Sequence, residues 1–148
     1  MTLMKSRFRM RTICNNMTVS EAKNHKKEDI ERLFKSVDWA SGEYPERLLK
    51  ALESYETVIS AYNESRLVGL LCAMDDGEMT AYIHYLLVDP EYQSYGVGRL
   101  LMEKVKEKYK SYLRIVLICY DEVIGFYEKC GFKVANGVTA MYLTSLRN

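Results

Sequence analysis

A chain of 148 residues, 48% apolar and 28% charged, has the make-up of one globular domain large enough to bury a core. Its 21 basic and 20 acidic residues leave a net charge of +1, which excludes the strongly basic surface of a nucleic-acid binder. The longest apolar run, 67–74, is of strand length and too short to cross a membrane, and the four cysteines lack CxxC spacing, so free thiols in a reducing cytoplasm and no metal site are expected.

Residues 1–16 carry Lys5, Arg7, Arg9 and Arg11, and no acid precedes Glu21. An apolar h-region is missing, so this stretch reads as a basic, disordered extension, with one domain over 17–148. A first strand is expected over 17–22. Ile30, Leu33, Phe34 and Val37 fall at helical spacing, which predicts an amphipathic helix over 26–37. A loop at 38–45 leads to Pro45, suited to the first turn of a second helix carrying Leu48, Leu49 and Leu52. Strands at 57–62, 66–74 and 79–88, joined by polar turns at 63–64 and 75–77, form an antiparallel meander. A helix over 97–112 buries Val97, Leu100, Leu101, Val105 and Tyr112. The run 114–120, apolar on both sides, reads as a central strand. A short helix over 122–130 ends at Gly131 as a cap, and strands at 132–135 and 139–144 close the sheet. The fold class is therefore α+β: one mixed, mainly antiparallel sheet flanked by about four helices.

Between the third meander strand and the helix at 97 lies Gln93-Ser94-Tyr95-Gly96-Val97-Gly98. Two glycines at a helix N-terminus let an anion approach bare backbone N–H groups. A dinucleotide fingerprint does not fit, because Leu101 stands where the third glycine belongs, and no phosphate-loop lysine pattern is present. The stretch resembles the Q/R-x-x-G-x-G/A loop of the Gcn5-related N-acetyltransferases, and "GFYEKCGF" (125–132) is similar to the second signature of that superfamily. The close match covers about 57–132. "VDW" (37–39) and the stretch after it also look like a bacterial and plant-plastid branch that includes serotonin-type acetyltransferases.

The resemblance implies an enzyme that binds acetyl-coenzyme A and acetylates a primary amine, a small molecule by preference, by direct transfer in a ternary complex. It implies a pyrophosphate on the amides around Ser94, Tyr95, Gly96, Val97 and Gly98, with Gln93 and Arg99 adding side-chain contacts. The pantetheine arm would pair with the backbone of Leu86, Leu87 and Val88, and the Leu86 N–H would face the developing oxyanion. Tyr127, with Phe126 beside it, takes the place of the general acid. Many members carry an Asn about seven residues earlier, where this chain has Tyr120 followed by Asp121, so Asp121 is the candidate replacement.

By period 2, Tyr82, His84 and Leu86 share a face, which puts His84 beside the reaction centre as candidate base. Asp38, Trp39, Tyr44 and Tyr82 are the candidate acceptor-binding residues, through charge and stacking. Cys119 and Cys130 have no histidine at a suggestive spacing, which argues against a covalent acyl-enzyme. A competing reading is a non-catalytic acyl-coenzyme A sensor of the same fold. A homodimer through the last strands is compatible with the sequence, and no nucleic-acid or membrane partner is expected.

Overall fold

Three long strands carry the molecule. In the computed structural model, which describes residues 16–147, β2 (Thr57–Asn63), β3 (Arg66–Asp75) and β4 (Thr80–Val88) follow one another as the expected meander. The second turn is built by Asp76, whose carboxylate accepts the N–H groups of Glu78, Met79 and Thr80 at 3.0, 2.7 and 3.0 Å. Those three backbone donors hold its pKa down at about 2. The short β1 (Met17–Ser20) pairs antiparallel with β2 on one flank, and β5 (Arg114–Leu117) pairs parallel with β4 on the other. The sheet order is β1-β2-β3-β4-β5, mixed and mainly antiparallel.

Two helices cover one face and two the other. α1 (Lys27–Ser36) and α2 (Pro45–Ser54) bury Ile30, Leu33, Phe34, Leu48 and Leu52 against Val58, Leu67, Leu70 and Leu87. On the opposite face α3 (Val97–Lys108) buries Val97, Leu101, Met102 and Val105 against Ile59, Leu71, Ala81 and Ile83, and α4 (Ile124–Lys129) adds Phe126 and Tyr127. Gly69 is what lets α3 lie so close. A Cβ there would stand 2.9 Å from Val97 Cγ1 and 3.2 Å from Leu101 Cδ1.

One ionic knot ties the layers. Asp89, 3% exposed at the end of β4, accepts from Arg32 of α1 at 3.2 Å and from Arg66 of β3 at 2.9 Å. Its other oxygen caps the turn at Glu91 N–H, which starts the glycine-bearing loop.

Four sequence expectations need correction. The helix expected over 97–112 stops at Lys108; Tyr109 and Tyr112 instead donate their hydroxyls to Asp75 at 2.8 and 3.0 Å. The run 114–120 is not central: β5 ends at Leu117 and is an edge strand among the described residues. Residues 132–135 and 139–144 form no strand: no ladder pairs their backbone with any of the five strands. Finally, β4 carries a bulge. Cys72 pairs with Tyr85 and Ala73 with Ile83, so His84 has no partner on β3. The extra residue reverses the alternation. Ala81 and Ile83 face α3 before it, Leu86 and Val88 after it, while Tyr85 and Leu87 face α1 and α2. Tyr82 and His84 therefore share a face, and Leu86 lies on the other.

Candidate active site

The bulge also marks where the sheet opens. β5 pairs with β4 only from Thr80↔Arg114 to Ile83↔Leu117. Beyond Ile83, β4 runs on to Val88 with its β5-side edge free, so Leu86, Leu87 and Val88 line a gap in the sheet. A backbone edge of this kind can accept one more extended chain.

At the far end of the gap is the loop. Ser94 (φ +68°) and Gly96 (φ +82°) both adopt left-handed backbone, which turns the chain sharply into α3. Gly96 is the N-cap of α3 and supplies no side-chain cap. The first bond into the helix is Leu100 N–H to Gly96 O at 2.9 Å, so the amides of Val97, Gly98 and Arg99 point out of the N-terminus. Gly98 lies under Phe126: a Cβ there would approach Phe126 Cζ at 3.3 Å and Val88 Cγ2 at 3.7 Å. Gln93 folds back, donating to Val88 O at 3.0 Å, and thereby pins the loop to the strand end. Arg99 is exposed and leans on Glu103 at 3.6 Å. A cavity of about 110 Å³ at the loop is lined by Met17, Tyr95, Gly96, Val97 and Leu100. These bare amides, the absent Cβ at 98 and the free strand edge fit a diphosphate with an extended arm.

On the α1–α2 side of the gap sits an aromatic group. His84 stacks on Tyr85 (centroids 4.1 Å apart) and on Tyr82 (5.8 Å). Its Nδ1 meets the hydroxyl of Tyr55 at 2.5 Å. Burial raises the Tyr55 pKa well above that of an ordinary phenol and lowers that of His84 below 6.5. The phenol is therefore neutral and so is the imidazole at pH 7, and Nε2 has no partner among the described residues. Tyr55 and Tyr85 carried no signal in the sequence. Tyr55 falls between an apolar helix and an apolar strand, and the position of Tyr85 depends on the bulge.

The loop between α1 and α2 closes this side. Trp39 packs edge-on to Phe34 (6.1 Å) and tilted on Tyr85 (5.7 Å), so it anchors the loop as well as walling the cleft. Ser41 Oγ meets the Tyr85 hydroxyl at 3.2 Å. Asp38 (φ +55°) and Glu43 stand exposed and bind Arg147 at 3.2 and 3.0 Å. Tyr44 is 42% exposed at the start of α2.

Tyr127 lies on the opposite face, half-buried between Phe126 (5.1 Å) and Phe132 (6.1 Å). Burial, with Cys119 and Cys130 nearby, pushes its pKa up to about 12. Asp121 is exposed at the turn before α4, and Tyr120 beside it is 69% exposed. Burial raises the thiol pKa values of Cys72, Cys119 and Cys130, so none is an activated nucleophile; Cys14 lies outside the described residues. A wider cavity of about 330 Å³ sits between β1 and α1, around Ser20, His25, Asp29 and Tyr62, and shares no residue with this constellation.

A mixed α+β sheet opened at one strand edge, with a glycine-turned helix N-terminus at the end of the gap, is the architecture the site stands on. The model of the acetyltransferase (GNAT) family matches residues 25–132, and the chain belongs to that family. An uncharacterised N-acetyltransferase, ycf52, of Porphyra purpurea is 30% identical over 132 residues, covering 84% of this chain and 75% of that one. The chloroplastic GCN5-related N-acetyltransferase 2 of Arabidopsis thaliana is 34% identical over 82 residues, 53% of this chain and 32% of its own. Among solved structures, a GNAT family acetyltransferase of Streptococcus pneumoniae TIGR4 superposes with a TM-score of 0.75 at 25% identity, over 87% of this chain and 98% of that one.

Proposed function

We propose that the protein transfers the acetyl group of acetyl-coenzyme A directly to a primary amine, a small molecule, in a ternary complex. The observation that carries this reading is the arrangement around the gap beside β4: His84 opens on one face, Tyr127 on the other, and the Gly96–Gly98 amides sit at its end. Bound acetyl-coenzyme A would supply an activated acyl carbon and a sulfur leaving group. Val97, Gly98 and Arg99 would hold the diphosphate with Gln93 bracing the loop, Leu86 to Val88 would pair with the pantetheine arm, and Asp121 stands at the other lip. The Leu86 N–H is the donor for the oxygen on which charge develops. The neutral His84 Nε2 takes a proton from the incoming ammonium or amine. The Tyr127 hydroxyl, protonated throughout the working pH range, donates to the sulfur as it leaves. Asp38, Trp39, Tyr44 and Tyr82 would receive the acceptor by charge and stacking. Relatives carry names as different as histone acetyltransferase in Glycine max and aminoglycoside acetyltransferase in a soil metagenome, so the acceptor is tied to this chain's own aromatic wall.

The test is thiol release from acetyl-coenzyme A across a panel of amines, with Tyr127→Phe alongside the wild type. Amine-dependent release that falls about 100-fold in the variant is expected. Thermal stabilisation by acetyl-coenzyme A without release for any amine would overturn catalysis and leave a sensor of the same fold.

A further inference from the structure

The cavity between β1 and α1 holds a buried polar atom that the chain itself does not satisfy. His25, 9% exposed, stands just before α1, and its Nε2 meets Ser60 Oγ of β2 at 2.7 Å. Its Nδ1 is buried and has no hydrogen-bond partner among the described residues. An orphaned buried group of this kind is destabilising unless something outside the chain completes it. The two ring nitrogens point apart, so Nδ1 is turned away from Ser60 and is left for whatever fills the cavity that the ring lines.

The volume, about 330 Å³, is that of a small organic molecule rather than of a single water. Two opposite charges, Lys26 and Asp29, line it at the start of α1. Among the described residues Lys26 enters no ion pair. The one cation in range of Asp29 is Arg32 at 3.6 Å, and it gives its hydrogen bonds to Asp89 and Leu67 O instead. Asp29 faces the same space as the imidazole and the Tyr62 phenol. Burial lowers the His25 pKa and raises that of Tyr62, and the Asp29 charge raises both. The rest of this end is positive. α1 has no side-chain cap, and its first backbone bond is Ile30 N–H to Lys26 O at 3.2 Å, so the N–H groups of Lys27, Glu28 and Asp29 have no partner within the helix.

We infer that this cavity binds a small zwitterion, an α-amino acid, with its ammonium shared between Asp29 and His25 Nδ1 and its carboxylate on Lys26 and the α1 amides. In the tautomer whose Nε2–H donates to Ser60 Oγ, Nδ1 is bare and accepts from the ammonium. A ligand carrying only a positive charge would face Lys26 and the helix N-terminus. One carrying only a negative charge would face Asp29. A molecule with both signs a short distance apart meets each charge with its opposite and completes the buried nitrogen as well. The cavity shares no residue with the gap beside β4, so a ligand here is tested independently of acetyl transfer.

The test is isothermal titration calorimetry of the full chain against the common α-amino acids, followed for each binder by its amine and its carboxylic acid analogue. One-to-one binding of at least one amino acid is expected, about tenfold or more tighter than either singly charged analogue. Lys26 and Asp29 lie outside the core. Lys26→Gln and Asp29→Asn should therefore keep the melting temperature of the free protein while each weakens binding about tenfold. On binding, hydrogen exchange should slow over 20–29 and 62–67, and the imidazole nitrogen signals of His25 should shift in nitrogen NMR. Binding of no amino acid at millimolar concentration would overturn the inference. So would equal affinity for a singly charged analogue, which makes the cavity a plain cation or anion site. Protection over 93–99 and 114–129 instead would also overturn it, placing the amino acid in the gap beside β4.

Discussion

At the scale of single residues, His84 and Tyr55 form the unit whose chemistry can be read most directly. The neutral Tyr55 hydroxyl bonds Nδ1 of either tautomer, accepting from Nδ1–H or donating to the bare nitrogen; in the Nδ1–H tautomer Nε2 is a bare base. Because partial burial disfavours the imidazolium, the His84 pKa lies below 6.5, and the proton-accepting form persists as pH falls through 6.5. The acid limb of kcat/KM is therefore expected below the ordinary imidazole value, and His84→Gln should remove that limb while lowering kcat about 100-fold at pH 7. Tyr55→Phe keeps the packing but removes the hydrogen bond that holds the ring's orientation at Nδ1. A fall in kcat of about tenfold with KM for acetyl-coenzyme A unchanged would be the mark of a positioning residue. A Tyr55→Phe enzyme with unchanged kcat would show that the phenol only fills space.

At the scale of elements, two glycines on the same side of the sheet do different work, and substitution separates them. At Gly69 a methyl group meets Val97 and Leu101, the side chains that seat α3. Gly69→Ala is expected to cost about 1–3 kcal/mol, measured by denaturant unfolding, through overpacking. At Gly98 the methyl group meets the end of the Phe126 ring, which can give way. Gly98→Ala should thus leave stability nearly unchanged but weaken acetyl-coenzyme A binding by about tenfold, or ~1.4 kcal/mol, in a calorimetric titration.

The same elements show what the sequence makes legible. The meander, the four helices and the loop could be read because each depends on local pattern: alternation, helical spacing, and glycine where the backbone turns left-handed. The bulge at His84 could not, since it is a property of the pairing between β3 and β4 and leaves no trace in residue type. It is what puts Leu86 across the sheet from His84, contrary to period-2 counting. The last strands failed for a related reason. Residues 139–144 have the propensity to extend, but a strand exists only where a ladder forms, and propensity does not say whether it does. Of the aromatic group around His84 and Tyr85, the sequence points to Trp39 and Tyr82 and not to Tyr55 or Tyr85.

At the scale of the whole molecule, stability is unevenly distributed. β2, β3 and β4 pair with one another through the middle of the sheet, β2 and β3 are largely buried, and Asp89 ties the end of β4 to α1 through Arg32 and to β3 through Arg66. β5 and α4, by contrast, are held to this core by a four-residue parallel ladder and by partly buried aromatic contacts on the α3 face. Segments with short ladders and exposed backbone open with the smallest free energies. A ligand bound along β4 touches both parts at once: the free edge of the rigid core on one side, and Phe126, Tyr127 and the amides of α3 on the other. Its binding free energy should therefore appear chiefly as closure of the weaker part. Hydrogen exchange followed by mass spectrometry, with and without acetyl-coenzyme A, is expected to slow over 93–99 and 114–129 and to change little over 57–75. At a hundredfold excess over Kd the added stability is about 2.7 kcal/mol, and the melting temperature should rise by several degrees. Protection confined to 20–29 and 62–67, around the cavity between β1 and α1, would instead mean that the ligand sits there and that the gap beside β4 is not its site.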